Sequence, residues 1–142
     1  MAMKFIDIQD QSYAMERKLR SKVLREELGF PPGAEEFPFE NDSIHLIEVE
    51  NDEVIGCVLF HPENKTGRLY QMAISEGYRG KGVGRKLVAE LERHLKNLGF
   101  EEIYLHARDY AVSFYEKLGY EAFDAPFIEI GIEHRKMKKD LR

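Results

Sequence analysis

Tyr78-Arg79-Gly80-Lys81-Gly82-Val83-Gly84-Arg85 follows a short apolar run, residues 69–74, and leads into a long helical pattern. A strand, a glycine-rich turn and a helix start in that order form an anion site. Glycine lets the backbone come close to a ligand, and the first-turn N–H groups of a helix have no intrahelical partners. These free donors and the positive end of the helix dipole favour a phosphate group. The turn therefore predicts a phosphate-bearing ligand.

Two familiar phosphate-binding loops do not fit the spacing of these glycines. A Walker A loop counted from Gly77 would need lysine where Val83 stands. A dinucleotide fingerprint counted from Gly80 would need a third glycine where Arg85 stands. The glycines could also serve packing alone, in a tight turn without a ligand.

The pattern that does fit is Arg-x-x-Gly-x-Gly, formed by Arg79, Gly82 and Gly84. It resembles the acetyl-CoA pyrophosphate loop of the GCN5-related N-acetyltransferases, the GNAT family. The resemblance implies that the pyrophosphate lies on residues Arg79, Gly80, Lys81, Gly82, Val83, Gly84 and Arg85. It also implies that the pantetheine arm lies along the preceding strand, at Met72, Ala73 and Ile74.

Composition bounds the class of protein. The chain has 142 residues, 43% hydrophobic and 33% charged, which predicts one globular domain over residues 1–142. Its net charge of -5 argues against nucleic-acid binding, although a cationic cluster flanks the glycine turn at Arg79, Lys81, Arg85 and Lys86. A single cysteine, Cys57, excludes an internal disulfide. No membrane span or signal peptide is evident, so we expect a cytoplasmic protein without a membrane partner.

Hydrophobic periodicity predicts the order β-α-β-β-β-α-β-α-β-β. We expect strands at residues 5–8, 45–50, 54–60, 69–74, 102–107, 120–123 and 132–138. Helices are expected at residues 12–27, with Met15, Leu19 and Val23 on the buried face, at residues 82–98, and after a cap at Asp109. Loops are expected at residues 61–67, through Pro126, and at residues 30–41, where aromatic and acidic side chains suggest a binding loop. The order predicts an α/β sandwich of one mixed sheet with helices on both faces. It is also the order of the GNAT family, and the resemblance implies a GNAT-like three-layer α/β sandwich with a mixed, splayed β-sheet.

Two later segments extend the resemblance to nearly the whole chain. Residues 111–120, Ala-Val-Ser-Phe-Tyr-Glu-Lys-Leu-Gly-Tyr, look like the second GNAT motif, in which Phe114 and Tyr115 adjoin the cofactor. Residues 127–137 are similar to the tail of the ElaA/YjcF-like bacterial branch, which ends in Gly-Ile-x-His-x-x-Met. Arg108 departs from the family, which often has a pantetheine-binding asparagine at that position.

Candidate residues for the chemistry follow from these segments. Tyr115 is the predicted general acid for the leaving thiolate, with a core tyrosine as the alternative. The general base is open between His106 and His134, and Glu129 could order a water or bind an ammonium. Glu129 and Phe37 are predicted to contact the acceptor. The other histidines, His45, His61 and His94, are predicted to lie at the surface or in hairpins, and no metal site is expected.

The sequence thus predicts an N-acetyltransferase that moves an acetyl group from acetyl-CoA to a primary amine by direct attack, without a covalent enzyme intermediate. The acceptor would be a small-molecule amine or a protein amino group, and a homodimer is left open. The alternative is a non-catalytic acyl-CoA-binding module, which would share the glycine turn but need neither Tyr115 nor a base. A generic nucleotide-phosphate binder is a weaker alternative.

Overall fold

Seven strands form one mixed sheet in the order β1-β2-β3-β4-β5-β7-β6. The computed structural model describes residues 1–31 and 38–142. The strands are β1 (Ala2–Ile6), β2 (Ile44–Glu50), β3 (Glu53–Glu63), β4 (Thr66–Ile74), β5 (Glu102–Arg108), β6 (Glu121–Glu129) and β7 (Ile132–Asp140), and the helices are α1 (Tyr13–Leu24), α2 (Val83–Asn97) and α3 (Val112–Lys117). Short 3-10 turns occupy Glu26–Leu28, Glu76–Tyr78 and Asp109–Ala111. In the described ranges, no helix is long and apolar enough to cross a bilayer.

The helices cover both faces of the sheet, as predicted. On one face, α2 buries Leu87, Leu91 and Leu95, spaced four residues apart, and α3 packs Tyr115 into the same apolar cluster. On the other face, α1 packs Leu19 against a second cluster that contains Ile47 from β2. Burying each leucine side chain contributes about 1.5–3 kcal/mol to the free energy of folding. These two apolar clusters therefore hold the helices on the two faces of the sheet.

The one parallel pair among the described strands, β4 with β5, separates soon after it begins. The pairing covers Thr66, Gly67 and Arg68 opposite Glu102, Ile103 and Tyr104. Beyond these residues β4 continues to Ile74 and β5 to Arg108, and no further pairs join them. All other neighbouring strands are antiparallel. The predicted splay is therefore present, and it leaves a gap in the middle of the sheet.

A β-bulge in β4 lies at the edge of this gap. Gln71 adopts a left-handed conformation with φ 54°, and the β3–β4 register shifts beside it. The extra residue reverses the alternation of side chains along β4. As a result Tyr70 packs on the α1 side of the sheet, whereas Met72, two residues later, packs on the α2 side. The Cys57 thiol donates to the Gln71 carbonyl at 3.4 Å.

Several local predictions were wrong. The buried face of α1 carries Glu16, Leu19 and Arg20, while Met15 is exposed. Strands β3 and β4 form a tight hairpin, so the expected loop at residues 61–67 is only a two-residue turn. Strand β6 continues past Pro126 with a register shift in place of the expected loop. Asp109 does not cap α3: it is the first residue of the 3-10 turn before that helix, and its carboxylate accepts from the Tyr110 backbone N–H at 2.8 Å.

Candidate active site

The glycine-rich turn has the backbone that its sequence predicts. Gly80 and Gly82 have φ values of 74° and 82°, in the left-handed region that side chains avoid, and α2 begins immediately after Gly82. A Cβ atom at Gly84 would lie 3.4 Å from the Phe114 ring and 3.7 Å from the Met72 methyl group. The turn, β4 and α3 therefore meet at Gly84, where a larger side chain would press against Phe114 and Met72.

Side chains of the turn divide into two groups. Lys81 and Arg85 are exposed, and the Arg85 guanidinium lies 3.2 Å from where a Gly82 Cβ would stand. Val83 is buried in the core, so only its backbone is available to a ligand. Arg79 is held in place: its Nε donates to the Ile74 carbonyl at 3.0 Å, and its Nη2 contacts both Glu27 carboxylate oxygens at 3.0 Å.

A cavity of about 630 Å³ crosses the sheet through the gap between β4 and β5. Its wall includes side chains from the α2 and α3 side, among them Leu69, Met72 and Tyr115. It also includes Tyr70 and His106, which lie on the α1 side. A molecule in this cavity can therefore be approached from both faces of the sheet.

Tyr115 lies at the end of the cavity that faces α3. Its side chain is buried, and its ring packs edge-on against Phe114 and Tyr120 at 5.0 and 5.6 Å. Burial raises the pKa of Tyr115 above the ordinary tyrosine value, so the phenol keeps its proton at neutral pH. Tyr120, by contrast, donates to the Glu92 carboxylate at 2.8 Å in the core.

His106 and His134 are brought together on the α1 side, with Glu129 between them. Glu129 lies 3.4 Å from His106 Nδ1 and 3.6 Å from His134 Nε2. The Phe127 ring packs against both histidines, at 5.0 and 5.7 Å. These residues converge because His134 is opposite Phe127 in the β6–β7 ladder, while β7 also pairs with β5.

The hydrogen bonds of the two histidines differ. Arg68 Nη2 lies 2.8 Å from His106 Nδ1, and because a guanidinium can only donate, this nitrogen must accept. Burial first, and then the Arg68 charge, lower the pKa of His106 below its ordinary value. His134 Nδ1 lies 2.7 Å from the Ile132 carbonyl and must donate to it. In a neutral His134 ring, the lone pair is therefore on Nε2, the atom that faces Glu129.

The sequence marked neither Arg68 nor Tyr70 as a cavity residue, and it left the role of Arg108 open. Arg68 donates to the Tyr70 hydroxyl at 2.7 Å. Arg108, the departure from the GNAT asparagine, donates to the Tyr110 hydroxyl at 2.9 Å and to the Leu24 carbonyl at 3.3 Å. The predicted acceptor contact Phe37 lies outside the described residues, but Phe39 just beyond it lines the cavity.

The surface prediction for His45 was wrong, because this residue is buried in an ion-pair network behind α1. Its Nδ1 contacts Glu16 at 2.9 Å, and Arg20 bonds both Glu16 and Glu40. Burial lowers the pKa of His45, but the hydrogen bond and charge of Glu16 outweigh it and raise the pKa above its ordinary value. The two glutamates and His45 are close enough to share a metal ion, but the Arg20 guanidinium already compensates both carboxylates.

Comparison with known proteins identifies the family. The family described as "Acetyltransferase (GNAT) domain" matches residues 31–141. A supposed acetyltransferase of Bacillus subtilis (strain 168), BSU40680, is 33% identical over 139 residues, which cover 96% of this chain and 93% of the relative. The uncharacterised N-acetyltransferase YjcF of the same organism is 28% identical over 86% of this chain and 88% of its own length.

Solved structures agree with this assignment. A supposed N-acetyltransferase from Lactobacillus plantarum has a TM-score of 0.88 and 27% identity, with full coverage of both chains. Escherichia coli ElaA has a TM-score of 0.85 and 19% identity, covering 97% of this chain and 98% of its own. An aminoglycoside 6'-N-acetyltransferase complexed with coenzyme A has a TM-score of 0.78 and 18% identity, covering 100% and 98%.

The sheet, the glycine turn and the cavity define an acyl-CoA N-acyltransferase fold, as the sequence predicted. The chain belongs to the GNAT family of acetyltransferases, and its similarity to YjcF and ElaA confirms the predicted branch.

Proposed function

We propose that this protein transfers the acetyl group of acetyl-CoA to a primary amine, on a small molecule or an exposed amino group, by direct attack. The observation that carries the proposal is the cavity through the sheet. A tyrosine that keeps its proton lies on one side of the gap, and a histidine–glutamate cluster lies on the other. Acetyl transfer needs a proton donor at the leaving sulfur and a proton acceptor at the attacking nitrogen, and these two atoms lie on different sides of the reacting carbon.

The residues at the turn fit coenzyme A. The backbone N–H groups between Gly80 and Arg85 would hold the pyrophosphate, supported by the exposed charges of Lys81 and Arg85. The solved neighbour with bound coenzyme A supports this assignment at the level of the fold. The unpaired edge of β4 from Met72 to Ile74 would pair with the pantetheine arm in the manner of an added strand.

When bound, acetyl-CoA supplies the acetyl group as an activated thioester. A backbone N–H in the segment 72–74 would stabilise negative charge on the thioester oxygen as it develops. His134 Nε2 is the better placed base, because its lone pair faces the cavity whereas His106 Nδ1 is occupied by Arg68. Glu129 would hold the incoming ammonium beside His134. His134 would take one proton from this ammonium, so that the neutral amine can attack the carbonyl carbon. As the carbon–nitrogen bond forms and the carbon–sulfur bond breaks, Tyr115 gives its proton to the leaving sulfur, and the remaining amine proton passes to solvent.

Thiol release from acetyl-CoA, measured over a panel of amines, tests the function. Tyr115→Phe should lower the maximal rate by about 10²–10⁴-fold with little change in coenzyme A affinity, the range for losing a general acid. Tyr104→Phe is the matched control, because the Tyr104 hydroxyl bonds Glu63 and is not part of the cavity wall. Coenzyme A binding without thiol release on any amine would instead favour the acyl-CoA-binding module.

A further inference from the structure

The cavity wall is basic although the chain as a whole is acidic. Four arginines line it, Arg25, Arg68, Arg79 and Arg108, against two glutamates, Glu27 and Glu129. The net charge of the whole chain is -5, so this concentration of arginine does not follow from composition. Arg79 is already paired with Glu27. In the described part of the cavity wall this leaves one carboxylate, Glu129, for the other three guanidinium groups.

Arg68 is the most constrained of these groups. Its two terminal nitrogens donate to the Tyr70 hydroxyl and to His106, both neutral partners, and its guanidinium lies 3.9 Å above the Tyr70 ring. Only 17% of its side chain is exposed, and its one carboxylate neighbour among the described residues, Glu129, is 4.0 Å away. Its Nε has no hydrogen-bond partner in the part of the chain that the structure describes. A charge buried this far with so little compensation favours an anion beside it.

Arg108 adds a second positive charge on the same face. Its hydrogen bonds go to the Tyr110 hydroxyl and the Leu24 carbonyl, and neither partner carries a charge. In the β5–β7 ladder Arg108 is opposite His134 and His106 is opposite Lys136, so cations surround the two histidines. Of the residues that the structure describes, Glu129 is the one carboxylate beside these histidines.

Coenzyme A does not account for this charge. The proposed function assigns its pyrophosphate to the glycine turn, its 3′-phosphate is at the adenosine end, beyond the pyrophosphate, and its pantetheine arm and acetyl group are uncharged. We propose that the acceptor is an amino carboxylate, with its carboxylate held by Arg68 and assisted by Arg108, and its ammonium held by Glu129. Planar guanidinium groups suit a carboxylate because they can form two parallel hydrogen bonds with it. This inference rests on the proposed function and specifies its acceptor.

Matched amines test it. The panel contains α-amino acids with apolar side chains and ω-amino acids of two to six carbons, each with its amide and its decarboxylated amine. We expect kcat/KM to be about tenfold or more higher for the carboxylate than for its amide, as for one charge-assisted hydrogen bond. The ratio of kcat/KM for the carboxylate to kcat/KM for its amide should fall toward one in Arg68→Gln and, separately, in Arg108→Gln. Arg93→Gln removes the same charge from an exposed pair with Glu90 on α2 and should retain the preference.

The outcomes separate the two proposals. Acetylation without a carboxylate preference, or a preference that survives both Arg68→Gln and Arg108→Gln, overturns the inference and leaves the acetyltransferase intact. If no amine is acetylated, the proposed function fails. The carboxylate site is then tested by calorimetry, which measures binding of the same amines in the presence of coenzyme A. In that arm, binding of the amino carboxylates but not of their amides supports a carboxylate site, and binding of neither overturns it.

Discussion

Replacing Gly82 with aspartate should abolish tight coenzyme A binding without unfolding the protein. Gly82 has φ 82° and stands immediately before α2, where its backbone would face the pyrophosphate. The new carboxylate would compete for the same first-turn N–H groups and add a negative charge beside the phosphates. A Cβ there would lie 3.2 Å from the end of the flexible Arg85 side chain, which can move aside.

The size of the effect follows from Coulomb's law. Two unit charges about 5 Å apart at an effective dielectric constant of about 20 repel by about 3 kcal/mol, or about 200-fold in affinity. Backbone strain at positive φ costs about 1–2 kcal/mol of stability, which lowers the melting temperature by only a few degrees.

Gly99→Asp provides the control. Gly99 follows the other end of α2 with φ 90°, and a Cβ there meets nothing within 4 Å. It therefore has the same backbone strain but lies at the opposite end of the helix from the turn. Calorimetric titration of both variants with coenzyme A, after circular dichroism has shown that they are folded, separates strain from charge. Unchanged affinity in Gly82→Asp, or an equal loss in Gly99→Asp, would refute the assignment of the turn.

Three other changes test the acceptor site and the scaffold. Glu129→Gln should raise the KM for the acceptor several-fold but not that for acetyl-CoA, and equal effects in steady-state kinetics would place the acceptor elsewhere. His106 should titrate below its ordinary pKa of 6.5, because burial and Arg68 disfavour the imidazolium, and Arg68→Gln should raise the midpoint. Ring NMR signals measure this, and a midpoint at or above 6.5 in the unmodified protein would contradict it. Arg20→Met should lower the free energy of unfolding, measured with urea, by about 3–5 kcal/mol, because the buried carboxylates lose their guanidinium partner. Arg17→Met, at an exposed position of the same helix, should lower it by about 0.5 kcal/mol or less.

The central part of the fold could be predicted because local sequence specifies it directly. Glycines at positions 80 and 82 require positive φ, and apolar residues every four positions specify the buried face of α2. The order of elements then fixed the sheet, because a strand–helix–strand unit leaves few arrangements open. The gap between β4 and β5 was expected from the resemblance to the GNAT family.

The parts that escaped prediction depend on contacts between distant residues. The buried face of α1 could not be read from hydropathy, because Glu16 and Arg20 are buried by pairing with each other and with Glu40 and His45. The β-bulge at Gln71 has no sequence signal, since a residue other than glycine adopts the left-handed conformation there. Arg68 was missed for the same reason: its role depends on β5 and on the β6–β7 turn, which the sequence places far away.

The short β4–β5 pairing has a consequence for how the molecule holds together. The strands before α2 and those after it form two antiparallel halves of the one sheet. In the described ranges the halves are paired through three residues on each of β4 and β5, beside the hydrogen bond from the Glu101 N–H to the Lys65 carbonyl at 2.7 Å. A ligand lying between the strands beyond these residues would add hydrogen bonds across the gap. Its binding free energy therefore adds to the cohesion of the two halves, since a ligand that binds only the folded state stabilises that state. The place where the backbone pairing of the sheet is shortest is thus also the place that the proposed coenzyme A would bridge.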